Sequence, residues 1–121
     1  MTHLAEEVEV ATRGRGYLAT LARRHVTVVG LAKSGIAAAR LLAAAGADVC
    51  GTDAKPVASL GPEVAALATA GVRLIDGPAA FDGVELVVVS PGVPLDGAQL
   101  APARARRVPV IGELELAWRA M

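Results

Sequence analysis

Apolar and polar positions alternate in blocks along this chain, not residue by residue. From His25 onward a short Val-rich run is followed by a glycine-containing turn and then by a longer Ala/Leu segment, and the cycle repeats. Residues 26–29 and 48–52 are short, β-branched or apolar, and predict strands; residues 34–45 place Ile36, Ala39, Leu42 and Ala43 at helical spacing. Ser34 is positioned to cap that helix, and Gly46 to take a left-handed conformation just beyond it. Gly61, Pro62 and Glu63 start a second helix reaching about Ala70, followed by a strand at 72–75. Residues 85–89 are the most strand-like stretch; a helix over 98–106, a fifth strand over 108–111 and a last helix from about Glu113 complete the pattern. Strands that are apolar throughout are expected where helices cover both faces of a parallel sheet. The predicted fold is a doubly wound, Rossmann-like α/β domain of about five parallel strands.

Residues 1–24 lack this pattern. Glu6, Glu7 and Glu9 are followed by Arg13, Arg15, Arg23 and Arg24 around Gly14 and Gly16, so this segment reads as an extension, either disordered or partly helical over 17–24, ahead of a single domain over 25–121.

Composition narrows the function. The 121 residues carry 12 Lys+Arg and 12 Asp+Glu, so the chain has no broad positive field to attract nucleic acid. The N-terminus has no basic start followed by an apolar stretch, and the most apolar segment, 36–49, is broken by Arg40, Gly46 and Asp48; neither export nor membrane insertion is expected. The single cysteine, Cys50, cannot form an internal disulfide, no Cys/His cluster has zinc-ligand spacing, and a cytoplasmic setting fits.

Open parallel sheets bind ligands at the carboxyl ends of their strands, near the point where strand order reverses. Three loops fall there. Gly30-Leu31-Ala32-Lys33-Ser34-Gly35 follows the first strand and opens a helix, with Gly30 and Gly35 at the first and third glycine places of a G-x-G-x-x-G fingerprint. It reads as a phosphate cradle on a helix N-terminus or as a tight strand-to-helix turn. It is not a P-loop, because Ile36 and Ala37 follow where Lys and Ser or Thr are needed. Thr52-Asp53-Ala54-Lys55 puts a carboxylate after the second strand, for a ribose or base edge or for its own turn. Ser90-Pro91-Gly92-Val93-Pro94 combines two fixed φ angles with a glycine, a rigid turn that a ligand can approach closely. Glu113 and Glu115 read as ordinary first-turn carboxylates.

GLAKSG, TDAK, SPGVP and IGELEL, after the first, second, fourth and fifth predicted strands, resemble the N-terminal domain of the Mur ligases of peptidoglycan synthesis, in wording closest to the D-glutamate-adding branch. The likeness covers about Val26 to Trp118, and the SPG turn with the GELEL ending is its most specific part. The resemblance implies a domain that holds the UDP portion of UDP-N-acetylmuramoyl-L-alanine. It implies that Ala32, Lys33, Ser34 and Gly35 cradle the diphosphate, that Asp53, Ala54 and Lys55 hold the uridine, and that Ser90, Pro91 and Gly92 line the uracil and sugar side. Ala32 departs from the family pattern, standing where a glycine usually brings backbone close to the diphosphate. In the family, ATP and magnesium are bound by a central domain and the incoming amino acid by a C-terminal one. The sequence as given stops at Met121, so it is expected to bind no cofactor or metal, to have no catalytic residue, to partner those further ligase domains, and to be inactive alone as part of an ATP-dependent amide-bond-forming ligase. Two other readings use the same glycine loop: an NAD(P)-binding Rossmann domain, and a noncatalytic nucleotide sensor or partner module.

Overall fold

A computed structural model describes residues 14–121. The strands are β1 (His25–Val29), β2 (Asp48–Thr52), β3 (Arg73–Leu74), β4 (Leu86–Val89) and β5 (Val110–Gly112). The α-helices are α1 (Arg15–Thr20), α2 (Lys33–Ala44), α3 (Pro62–Ala65), α4 (Ala101–Ala105) and α5 (Glu113–Ala120). All strand pairs are parallel and the order is β3-β2-β1-β4-β5, so the chain reverses direction across the sheet between β1 and β4. This is the expected doubly wound sheet.

Two predicted helices are shorter than their sequence pattern. The 62–70 segment is α-helical only to Ala65 and tightens into a 3₁₀ stretch over Ala66–Ala70, and 98–106 begins as a 3₁₀ turn over Ala98–Leu100. Pro62 and Pro102 each sit in a helix's first turn, where a missing N–H costs nothing, while Gly71 at φ 91° ends the second helical segment in the left-handed region. Gly46, at φ 90°, stops the chain just past α2 as expected.

The core lies in two layers, one on each face of the sheet. Val26, Val28 and Val49 face Leu42, Val64, Leu67 and Leu116 on one side; Val29, Val87 and Val89 face Phe81, Leu100 and Ala103 on the other. Adjacent strand residues point to opposite faces, so burial of both accounts for the unbroken apolar runs. Thr27, fully buried in the central strand, satisfies its hydroxyl by donating to the Ala80 carbonyl at 2.5 Å.

Of the N-terminal extension, residues 1–13 lie outside the described part. Residues from Gly14 on are packed: Leu21 is buried in the core, the Gly14 N–H donates to the Arg119 carbonyl at 2.7 Å, and the Arg119 guanidinium sits 5.5 Å above the Tyr17 ring.

The amino edge of the sheet is held by charge. Asp48 lies 2.8 Å from His25 Nδ1 and 3.0 Å from Arg73, while Glu85 accepts from the His25 N–H at 2.9 Å and from Arg24 at 3.0 Å. The His25 N–H, and after it the Arg24 guanidinium, hold the Glu85 carboxyl below the usual glutamate range. A carboxyl lowered in the folded state stabilises fully above its ordinary value of about 4.3 and loses that contribution as pH falls through the folded value. Glu85→Gln should therefore flatten the decline of melting temperature on acidification below about pH 4.3, with little change in that slope near neutrality. Parallel melting curves for the two proteins across pH 3 to 7 would refute this.

Candidate functional site

The register of the sheet determines which loops meet. Val29 lies beside Thr52 on β2 and beside Val89 on β4, and Val89 lies beside Gly112 on β5. The next residue of each strand is therefore Asp53, Gly30, Ser90 and Glu113, in a row along the carboxyl edge that crosses the point of reversal. Three of these four lie in the loops singled out for ligand binding in the sequence; the fourth, Glu113 of the IGELEL motif, was read as an ordinary first-turn carboxylate.

The glycine loop is built by contact. An added Cβ at Gly35 would stand 1.8 Å from the Gly30 carbonyl oxygen, so the first turn of α2 packs directly on the end of β1 and only glycine fits. Gly30 itself has φ 93°, and a Cβ there would stand 2.7 Å from Ser90 Oγ. Ala32, by contrast, has φ −77° and ψ −172°, extended backbone that alanine adopts without strain.

Ser34 does not cap α2. The helix begins at Lys33 with Ala32 as its N-cap and no side chain capping it, which places Ser34 inside the first turn. The first helical bond is donated by Ile36 to the Ala32 carbonyl. The N–H groups of Lys33, Ser34 and Gly35 precede that bond, and they point out of the helix end with its partial positive charge.

Asp53 is half-buried and turned toward the glycine loop. Its Oδ2 accepts from the Leu31 N–H at 2.7 Å and its Oδ1 from the Lys55 N–H at 3.1 Å. The carboxylate thus ties the loop after β2 to the loop after β1. Each oxygen keeps a second lone pair. Beside it lies a recess of about 110 Å³, lined by Val29, Thr52, Asp53, Pro78, Phe81 and Gln99. Ala54 and Lys55 are exposed beyond it, as are Lys33 at the loop tip and Pro91 and Gly92 across the sheet.

The SPG turn closes through the Val93 N–H, which donates to the Ser90 carbonyl at 3.0 Å. A Cβ added at Gly92 would meet nothing within 4 Å, so the fold itself does not require glycine there. Ser90 is 9% exposed, and its hydroxyl donates to Glu113 Oε1 at 2.7 Å. Ser34, Pro91 and Glu113 share the mouth of an apolar groove of about 370 Å³ between α2 and α5, continued by Ala37, Leu41 and Leu114.

Other reactive side chains lie away from this edge. Cys50 is buried within β2, and burial pushes its thiol above the ordinary range, against thiolate chemistry. Arg104 donates to the Leu95 and Gly97 carbonyls at 2.7 and 2.9 Å and so braces the loop after the SPG turn. Among the described residues no three His, Cys, Asp or Glu side chains gather as metal ligands, and no helix is long and apolar enough to cross a membrane.

Sequence reasoning missed Glu113, whose first-turn position suggested only an ordinary carboxylate favoured by the helix dipole. The signal lay in the strand before it: once 110–112 pairs beside β4, the following residue must stand next to Ser90.

Both the sequence and the fold have known relatives. The UDP-N-acetylmuramoylalanine--D-glutamate ligase of Anaeromyxobacter dehalogenans is 55% identical over 96 residues, covering 78% of this chain and 21% of that protein. The Myxococcus xanthus protein of the same name is 48% identical over 102 residues, covering 82% and 22%. This chain thus spans about a fifth of the length of these relatives. Among solved structures, a murein peptide ligase of Psychrobacter arcticus superposes with a TM-score of 0.64 at 22% identity, covering 74% of this chain and 19% of that one. The D-lactate dehydrogenase of Escherichia coli gives 0.57 at 20%, covering 77% and 29%, a likeness of fold alone. The family model described as the N-terminal domain of MurD-like Mur ligases matches residues 24–112, and the chain belongs to that family.

Proposed function

We propose that this domain holds the UDP portion of UDP-N-acetylmuramoyl-L-alanine for a D-glutamate-adding ligase of peptidoglycan synthesis, in the cytoplasm. The observation that carries the reading is the row of Asp53, Gly30, Ser90 and Glu113 at the carboxyl edge, beside an α2 N-terminus that no side chain caps. The curated relatives bear that activity in their names.

In this reading the diphosphate lies on the first turn of α2. The N–H groups of Lys33, Ser34 and Gly35 donate to its oxygens, the helix dipole favours its charge, and the Lys33 ammonium and Ser34 hydroxyl reach it from the exposed side. Asp53 acts first on the protein: by holding the Leu31 N–H it sets the loop before the ligand arrives, and its remaining lone pairs take a ribose hydroxyl or a base N–H. Ala54 and Lys55 border the uridine. Pro91 and Gly92 wall the uracil and sugar side, where the bare Cα of Gly92 leaves room for the ligand. ATP, magnesium and the incoming amino acid would be held by other domains of such a ligase.

A dinucleotide-binding domain shares the sheet order and Asp53, and dehydrogenases are among the structural neighbours. That reading leaves the SPG turn and the GELEL ending unexplained.

Calorimetric titration of the 121-residue chain with UDP-N-acetylmuramoyl-L-alanine, UDP and NAD decides between them. The UDP-sugar should bind most tightly, with modest affinity, because other domains would ordinarily close over it. Tighter binding of NAD would overturn the proposal.

Two substitutions refine it. Asp53→Asn can keep only one of the two carboxylate bonds to backbone N–H groups. It should lower the melting temperature as well as weaken UDP binding by about 1.5 to 3 kcal/mol, the range for hydrogen bonds to a charged group. Unchanged affinity alongside lower stability would make Asp53 a purely structural tie. Ala32→Gly should cost about 0.4 to 1 kcal/mol of stability, since the backbone already suits alanine. It should also tighten UDP-ligand binding by letting the main chain approach the diphosphate. A variant that only melts lower would mean the loop no longer serves a phosphate.

A further inference from the structure

Two carboxylates open α5, and they behave differently. Glu115 is exposed and pairs with Arg119 one turn along, as a first-turn carboxylate needs nothing more to complement the helix dipole. Glu113 is 9% exposed, and its only hydrogen-bond partner among the described residues is Ser90; its Oε2 is buried without one. Burying a carboxylate is costly unless something compensates it. The helix dipole alone would have been served as well from solvent, so the contact with Ser90 is what the burial achieves.

Ser90 has one hydroxyl proton and two acceptors near it, Glu113 Oε1 at 2.7 Å and the Gly30 carbonyl at 3.2 Å. The shorter, charge-assisted contact takes the proton. The hydroxyl is thereby wedged between α5 and Gly30, whose missing Cβ makes the space for it. Gly30 in turn carries the carbonyl on which Gly35 and the first turn of α2 rest.

We propose that Glu113 is a positioning residue of the nucleotide site: acting through Ser90, it fixes the 90–92 turn against the glycine loop and joins α5 to the ligand-binding edge. Without the carboxylate, the Ser90 proton turns to the Gly30 carbonyl, and the turn loses its tie to α5. The wall formed by Pro91 and Gly92 then no longer stands at a set distance from the α2 N-terminus. What the edge binds rests on the reading under Proposed function; the tie itself does not.

The test has one arm without ligand and one with it, both on the 121-residue chain. Amide hydrogen exchange reports the turn through the Val93 N–H, which donates to the Ser90 carbonyl. E113A should speed that exchange about tenfold, the loss of one charge-assisted bond, and S90A should do the same. E113Q, whose amide can still pair with the hydroxyl, should restore most of the protection. Because Glu113 acts through Ser90, E113A should add nothing in an S90A background. In the ligand arm, affinity for UDP-N-acetylmuramoyl-L-alanine should fall about tenfold in E113A and recover in E113Q, again without additivity with S90A. Unchanged Val93 exchange in E113A, or full additivity of the two alanine variants, overturns the proposal. Should E113A not fold, S90A and E113Q carry the exchange arm, and full protection retained in S90A overturns it equally. A wild-type chain that binds no UDP-sugar would sink the functional reading, while the exchange arm would still decide the role of Glu113.

Discussion

The carbonyl of Gly30 lies where a side chain at Gly35 would have to be. That close approach sets α2 on the end of β1, and everything that makes the carboxyl edge useful depends on it. It brings the α2 N-terminus, with the N–H groups of Lys33, Ser34 and Gly35, to the middle of the sheet. It also leaves the bare Cα of Gly30 facing Ser90, so that the fourth-strand turn can close over the loop. In the dinucleotide fingerprint the third glycine serves helix packing and the second serves backbone approach to the ligand. This chain keeps the glycines its own architecture needs, Gly30 and Gly35, and carries alanine at the position whose glycine serves only the ligand.

Around that contact the edge is stitched laterally. Asp53 holds the Leu31 N–H from the β2 side, and Glu113 holds Ser90 from the β5 side. Both are carboxylates bonded to groups on the neighbouring loop, and each therefore shapes the site before any ligand is bound. The arrangement places negative charge beside a surface read as a diphosphate cradle. Asp53 has its charge neutralised in part by two backbone dipoles, and Glu113 by the Ser90 hydroxyl and by the N-terminus of its own helix. What faces outward is the uncapped helix end and the Lys33 ammonium. The two edges of the sheet divide labour in consequence: the amino edge spends its ion pairs of Asp48, Glu85, Arg24 and Arg73 on joining strands, and the carboxyl edge presents free N–H groups.

Much of this was legible in the sequence, for local reasons. Val-rich runs bounded by glycine can only be short strands covered on both faces, and Gly46 past an Ala/Leu segment marks a helix end, so the element order and the parallel sheet follow from periodicity and turn chemistry. GLAKSG, SPGVP and GELEL, at the ends of the first, fourth and fifth strands, carried the resemblance to the family by their wording and order. The details that failed were those where a side chain had a choice of partners. Ser34 was a plausible cap, yet the helix is capped at Ala32, two residues earlier, which places Ser34 in its first turn. Arg104 likewise finds its partners only in the folded loop, which offers it the carbonyls of Leu95 and Gly97.

Glu113 marks the boundary most clearly. Its identity, its place at a helix start and its family motif were all in the sequence, and together they suggested an ordinary first-turn carboxylate. Its burial and its bond to Ser90 arise from the pairing of β4 with β5, 23 residues apart along the chain at this point, which no local pattern encodes. The same holds for Asp53, whose type and loop were evident while its hold on Leu31, across the β1–β2 pair, was not. Sequence by itself determined which elements form and which loops reach the carboxyl edge, because those depend on periodicity and on backbone preferences a few residues long. Strand order and register decided which side chains stand next to one another there, because hydrogen bonds between loops depend on distances that only the assembled sheet sets.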